Sequence, residues 1–238
     1  MCFHNALTQK PKAVAKYYGV ESPDDLYQPM PHGVGFSHPQ WPVVSMEEPR
    51  RLKLKSWGLI PTWVKQAEQA KTASNQNLNA RAETVFEKPS FREAIRTGRC
   101  LVPSTGFFEW REMNKLKYPY FIYPVGEPLF TMAGISTQWL NPDTGELMET
   151  FSILTTQANA TLSMIHNVKQ RMPVILSPQQ IVDWLNPNTH EEKLTFMFEP
   201  YSDSGMNYFT VNRETMKYPA QGEAPIPPFI YPELNTLF

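Results

Sequence analysis

Arg99-Cys100-Leu101-Val102-Pro103-Ser104-Thr105-Gly106-Phe107-Phe108-Glu109-Trp110 is the stretch on which the fold turns. It holds two apolar runs of strand length, Cys100 to Pro103 and Gly106 to Trp110, separated by turn-forming residues. Tyr118 to Tyr123 and Leu129 to Trp139 follow as two more strands. Asn141-Pro142-Asp143-Thr144-Gly145-Glu146 then carries hairpin-turn chemistry into a strand over Thr150 to Thr156. Strands that succeed one another through turns rather than helices favour antiparallel pairing. The expected fold is therefore α+β: one domain over residues 1–238, with a largely antiparallel sheet or barrel core and peripheral helices.

Toward the N-terminus, Arg50-Arg51-Leu52-Lys53-Leu54-Lys55 alternates with period two, which puts Arg51, Lys53 and Lys55 on one strand face and Leu52 and Leu54 on the other. A half-solvated edge strand explains that pattern, and a phosphate-facing strand is the alternative. Residues 21–49 are punctuated by six prolines and read as loop with short extended pieces. Before them a short helix is expected, with Thr8 as N-cap and Gly19 as its stop. Trp57-Gly58-Leu59-Ile60-Pro61-Thr62-Trp63 turns the chain with two large aromatics, residues 64–73 are loosely helical, and Ser90 is expected to cap a helix stopped by Gly98. Toward the C-terminus, Ala158 to Ile165 reads as a short helix and Pro173 to Leu176 as a strand. Ser177-Pro178 starts a helix ending near Leu185. A late strand covers Asn207 to Val211, and the Pro-rich tail from Tyr218 is expected to lie over the surface.

The totals narrow the classes of function. A net charge of −1 across 238 residues advertises no global attraction to nucleic acid, so any such site must be a local patch. Two cysteines make no disulfide framework. No basic segment leads into an apolar run at the N-terminus and no window approaches 18 apolar residues, so a soluble cytoplasmic protein without a membrane partner is expected. His4, His32, His38 and His190 lack metal-ligand spacing and no Gly-rich phosphate loop occurs, so neither a metal nor a cofactor is expected.

Four polar clusters sit against apolar sequence. The first is Met1-Cys2: removal of Met1 leaves a chain that begins with an α-amine and a thiol on neighbouring carbons. Their reference pKa values, about 7.7–8 and about 8.5, leave both partly nucleophilic near neutrality. The others are Asn79-Ala80-Arg81-Ala82-Glu83-Thr84, Glu109 between Phe108 and Trp110, and His166 after Met164-Ile165. A carboxylate among aromatics tends to a raised pKa suited to acid/base work. Each has an ordinary alternative: Glu109 as an outward strand residue, His166 as a helix-terminal His, Arg81 as an ion-pair partner and Asn79 as a cap. Cys100, inside an apolar run, reads as a small buried hydrophobe.

Taken together, Met-Cys, Trp-Gly-Leu-Ile-Pro-x-Trp, Asn-Ala-Arg-x-Glu-Thr, Gly-Phe-Phe-Glu-Trp, Ile-Leu-Thr-Thr and His…Arg-Met-Pro occur in an order that resembles the SOS response-associated peptidase family, whose members shield abasic sites in DNA. The resemblance runs from Cys2 to about Leu185. It implies that Cys2 forms a covalent bond to the ring-opened aldehyde of an abasic site in single-stranded DNA. It further implies that Asn79 holds the N-terminal residue and the sugar, and that Glu109 and His166 give acid/base assistance. Arg81, Arg171 and Thr155 match DNA-contacting positions, and Pro39 and Trp63 are similar to residues that wedge against the bases. One departure is that Asn167-Val168-Lys169-Gln170 separates His166 from Arg171, where the family commonly has a single residue. The chemistry suits the residue types. Amine and aldehyde give a Schiff base, the thiol closes onto the same carbon, and a five-membered thiazolidine results. The implied protein is a monomeric, thiol-dependent crosslinking enzyme of lyase-like character, nucleoid-associated when bound. A thiol peptidase or amidohydrolase using Cys2, and a non-catalytic DNA-binding module, are the alternatives.

Overall fold

A computed structural model describes residues 2–237. In chain order its strands are β1 His4–Leu7, β2 Met30–Val34, β3 Gln40–Ser45, β4 Leu52–Trp57, β5 Asn79–Arg81, β6 Arg99–Ser104, β7 Gly106–Met113, β8 Leu116–Pro124, β9 Phe130–Leu140, β10 Leu147–Gln157, β11 Arg171–Pro173, β12 Ile175–Leu176 and β13 Met206–Thr210. The α-helices are α1 Pro11–Tyr18, α2 Ala67–Gln76, α3 Ala94–Thr97, α4 Ala160–Ile165, α5 Pro178–Leu185 and α6 Glu191–Phe196.

The strands expected after Arg99 form, and local chemistry joins them. Asn114 and Lys115 both adopt positive φ, the requirement of a tight two-residue hairpin, and they connect the paired Met113 and Leu116. Five strands close a barrel through the sequence β3–β4–β10–β9–β6–β3. Four of those contacts are antiparallel; β4 and β10 run parallel, with Phe151 opposite Trp57. Trp41, Trp57 and Phe151 fill the interior, with ring centroids 6.3 Å and 6.1 Å apart along the series. Burial of large apolar surfaces of this kind is the main force holding the closed sheet together.

A second, wholly antiparallel sheet runs β13-β8-β7-β1-β2. It is tied to the barrel by the chain itself, because β6 passes into β7 through Thr105. β10 outruns the barrel, and its last residues carry β5 on one edge (Thr155 opposite Arg81) and β11 on the other (Gln157 opposite Arg171). The α+β architecture with a largely antiparallel core is therefore as expected.

Several local expectations are corrected. α1 starts at Pro11 with Lys10 as N-cap, not Thr8, because Pro at the first helical position supplies the pre-set φ; Gly19 ends it in the left-handed region as expected. Ser90 is not the N-cap: α3 is a single turn whose N-cap is Glu93, and it stops at Gly98 as expected. Lys55 does not face solvent. Its ammonium is buried, donates to Ser136 Oγ at 3.0 Å and lies 3.5 and 3.7 Å from Glu47 and Glu149, and these oxygens make burial of the charge tolerable. Arg51 is 3.7 Å from Glu21, and Lys53 is ion-paired with Glu48, so β4 does not present a free basic face. The tail after Tyr218 lies over the surface as expected, with most of its side chains exposed, and it is pinned there by hydrogen bonds and by the buried Tyr231 and Leu234. Ala220 donates to the carbonyl of His32 at 2.9 Å, and the buried Tyr231 donates to Val211 O at 2.9 Å.

Candidate active site

The register of β1 decides what surrounds the N-terminus. His4 pairs with Phe108 on one side and Val34 on the other, so Cys2 enters between the two sheets beside the middle of β7. Met1 lies outside the described residues, and with it the question of its removal. Cys2 is fully buried, and its carbonyl accepts a hydrogen bond from Asn79 Nδ2 at 2.9 Å. Parallel pairing of β5 with β10 brings Asn79 there, opposite Ile153. Burial, and next the Glu109 carboxyl, push the Cys2 thiol well above its usual range. The Oδ1 atom of Asn79 is buried without a hydrogen-bond partner.

Glu109 projects from β7 and is 4% exposed; burial pushes its carboxyl up to about 8, so it holds its proton at neutral pH. His166 follows α4, a helix capped by Asn159, whose Oδ1 accepts from the Leu162 amide at 2.8 Å. Its Nδ1 stands 3.0 Å from Arg171 O and 3.6 Å from Glu109 Oε2. Burial pushes this imidazole down to about 4, so it is neutral near pH 7. A carbonyl only accepts, so Nδ1 carries the proton and Nε2 keeps its lone pair. Glu109, His166, His4 and Trp110 line one open cleft of about 370 Å³, with Lys117 and Lys169 also on its wall. A protonated carboxyl and a lone-pair imidazole facing the same space form an acid/base pair.

The DNA-contacting candidates divide. Arg81 is 67% exposed, available to a phosphate, and 4.0 Å from Glu83. Arg171 and Thr155 are buried and do not face solvent. Arg171 forms a two-pronged ion pair with Glu83, with Nη2 to Oε2 at 2.9 Å, and the same Nη2 donates to Thr155 O at 2.5 Å. The physical reason is the β10–β11 pairing, which turns Arg171 across the end of β10 toward the segment after β5. The pair ties the strand bearing Asn79 to the loop bearing His166, a positioning arrangement rather than a phosphate contact. Trp63 is 53% exposed and donates to Pro89 O at 3.2 Å, but it lines a different cleft from that of Glu109 and His166. Pro39 is half-buried beside His38, whose φ of 49° lies in the left-handed region.

Three residues near the site escaped the sequence reasoning. Phe36 is half-exposed and packs, centroids 4.9 Å apart, on Phe3, which lines the cleft. His4 and His32 bond to each other through their rings at 2.8 Å. Their separation of 28 residues carries no motif; the signal that could have found them is their placement on strands paired side by side. Among the described residues no cluster of His, Cys, Asp and Glu is suited to a metal, and no helix is long and apolar enough to cross a membrane.

Comparison with known proteins shows what the chain and its fold are similar to. A crystallised protein from Bacteroides thetaiotaomicron superposes with a TM-score of 0.85 at 41% identity, over 91% of this chain and 95% of that one. "Abasic site processing protein YoqW" of Bacillus subtilis is 35% identical over 192 residues, 80% of this chain and 82% of that protein. "Abasic site processing protein HMCES" of Xenopus tropicalis is 33% identical over 156 residues, 58% of this chain and 45% of that protein. The sequence profile described as SOS response associated peptidase matches residues 1–218, further into the tail than the motifs alone reach. The chain belongs to the SOS response associated peptidase family.

Proposed function

We propose that the protein processes abasic sites in DNA by covalent capture: its mature N-terminal Cys2 forms a thiazolidine with the ring-opened aldehyde of an abasic site in a single strand. The observation that carries this reading is the Asn79 bond to the Cys2 carbonyl, 2.9 Å long, which fixes the N-terminal residue beside the Glu109–His166 pair. Relatives named for abasic-site processing support the substrate class.

Each proton has a place. Opening the closed sugar breaks the bond from its anomeric carbon to the ring oxygen. Glu109, protonated below about 8, delivers a proton to that oxygen, while the neutral His166 takes one from the anomeric hydroxyl. The α-amine of Cys2 adds to the aldehyde, water leaves with a proton returned by the imidazole, and the thiol adds across the resulting imine, its proton ending on nitrogen. Asn79 holds the backbone so that amine and thiol stay near the same carbon. Arg81, Lys117 and Lys169 supply positive charge near the strand's path, so non-covalent affinity falls with salt.

Purified protein incubated with single-stranded DNA carrying one abasic site is expected to yield a band that survives a denaturing gel. Cys2→Ala removes it, and so does a form that retains Met1, because acylation removes the α-amine. An equal band from either variant overturns the thiazolidine. Amide hydrolysis by Cys2 without any DNA adduct would place the chemistry in the peptidase class instead.

A further inference from the structure

His4 and His32 are not needed by the scheme above, yet they form a directed chain of hydrogen bonds that ends in its cleft. His32 is fully buried, and its Nδ1 is 2.8 Å from the carbonyl oxygen of Tyr218. That oxygen can only accept, so His32 Nδ1 carries a proton and, in the neutral ring, Nε2 holds a lone pair. His32 Nε2 is 2.8 Å from His4 Nδ1, and the ring planes lie within 14° of parallel. The lone pair on His32 requires the proton on His4 Nδ1. Hence neutral His4 keeps its own lone pair on Nε2, the ring nitrogen left to meet a ligand in the cleft that His4 lines. The carbonyl of one tail residue thus sets the tautomer of an imidazole two hydrogen bonds away.

Trp110 packs edge-on against His4 at 4.5 Å and Phe108 against His32 at 5.2 Å, which keeps both rings from turning. Burial first, and His32 next, push His4 down to about 3, and burial also lowers His32, so the pair rests neutral. The titratable groups around His4 are Glu109 and Glu112 from β7, Lys117 from β8, His166 and Lys169 after α4, and His32 from β2.

We propose that His4 is a second proton acceptor of the cleft, working as a relay with His32. A substrate hydroxyl proton arrives at His4 Nε2 while the Nδ1 proton of His4 passes to His32 Nε2. The positive charge then resides on His32, whose Nδ1–H still donates to Tyr218 O. No bond other than N–H and O–H changes in the relay, and the reverse movement returns the proton to a substrate oxygen in a later step. This rests on the abasic-site reading, because the sugar supplies the hydroxyl. The relay stores a proton between two steps that need opposite transfers, which a lone imidazole pushed down to about 3 does poorly.

The test is the single-turnover rate of adduct formation on single-stranded DNA with one abasic site, measured across neutral pH for His4→Gln and His32→Gln. A glutamine at position 32 can accept from His4 and donate to Tyr218 O, but it cannot take up a proton. Both variants are expected to slow the adduct by about tenfold or more throughout the neutral range, with final yield and thermal stability kept. The double variant is expected to be no slower than His4→Gln alone. A His32→Gln rate within about twofold of wild type overturns the relay. Independently of any variant, nitrogen chemical shifts of the wild-type imidazoles should show His4 as the Nδ1–H tautomer, and the opposite tautomer overturns the relay. A wild-type chain that forms no adduct overturns the abasic-site reading itself, whereas a normal adduct with unaffected variants overturns the relay alone.

Discussion

The chain buries two thiols completely, Cys2 and Cys100, and each has an ionisable neighbour deep in the structure. Burial pushes Cys100 up to about 12 and drives Cys2 above its ordinary value as well, so neither exposure nor acidity tells them apart. Their surroundings do. At the Cys100 end the polar groups are matched to one another. Lys55 meets Ser136, Glu47 and Glu149; Ser136 donates to Gly98 O at 3.1 Å; and Trp184 donates to the Cys100 carbonyl at 3.0 Å. At the Cys2 end an open cleft brings together a protonated Glu109 and two imidazoles whose Nδ1 atoms are committed, and Asn79 Oδ1 has no partner. A structural polar cluster closes its hydrogen bonds within itself, while the Cys2 end keeps an open cleft and, on Asn79, a buried acceptor that is not matched.

The largest expected effect comes from the carboxyl that makes the two ends unlike. Glu109 is raised in the folded state relative to its unfolded value near 4.5. Its contribution to stability is therefore fully present below about pH 4.5 and is lost as pH rises toward about 8, where the buried group must ionise. Glu109→Gln is expected to match the wild-type melting point near pH 5. Near pH 9 it should exceed it by an amount corresponding to about 2–4 kcal/mol. The same substitution should slow adduct formation at neutral pH, so stability rises as activity falls. Denaturation curves at the two pH values decide it: equal stability differences at both would mean that Glu109 does not titrate with a raised pKa, and the contrast with Cys100 would vanish. The adduct rate of the wild type should likewise fall above about 8, where Glu109 loses its proton, and fall toward acid pH as the α-amine, with its reference value of about 7.7–8, gains one.

What the sequence disclosed, and what it did not, follows the same division between local and distant effects. Strands β6 to β10 were legible because Pro, Gly and Asn punctuate apolar runs, and those signals act within a few residues. Barrel closure was not, because the parallel contact between β4 and β10 joins segments nearly 100 residues apart and leaves no local trace. Alternation placed Lys55 on the solvent face; both faces of that strand are covered at this point, and only the two glutamates and Ser136 reveal why a lysine stays there. Cys2, Asn79, Glu109 and His166 were found as motif members, and the fold gathers them through pairings β1–β7 and β5–β10 that no motif states. Arg171 looked like a cation for DNA because type alone cannot distinguish a free guanidinium from one clamped by Glu83.

A smaller effect separates the thiols directly. Cys100→Ala deletes a buried sulfur that packs against Gly134, and the expected cost is about 1 kcal/mol, with the yield and rate of the DNA adduct unchanged. A loss of adduct in a Cys100→Ala protein that still melts cooperatively would show that the two ends are coupled, against the matched network described around Lys55.

The smallest expected effect concerns the rim. Arg81 sits two residues from Asn79 on the same strand, but its side chain is 67% exposed and its contact with Glu83 is a long 4.0 Å. Exposed ion pairs of that length contribute little, so Arg81→Ala should change stability by no more than about 0.5 kcal/mol. Its exposed guanidinium, two residues along the strand from Asn79, predicts a different signature: weaker non-covalent binding of single-stranded DNA, with a salt dependence shallower by about one phosphate contact. The covalent yield at saturating DNA should stay as it is, because Asn79, Glu109 and His166 are untouched. Titrations at several salt concentrations measure the slope. An unchanged slope would remove Arg81 from the DNA path and leave Lys117 and Lys169 as the cations that guide the strand toward Cys2.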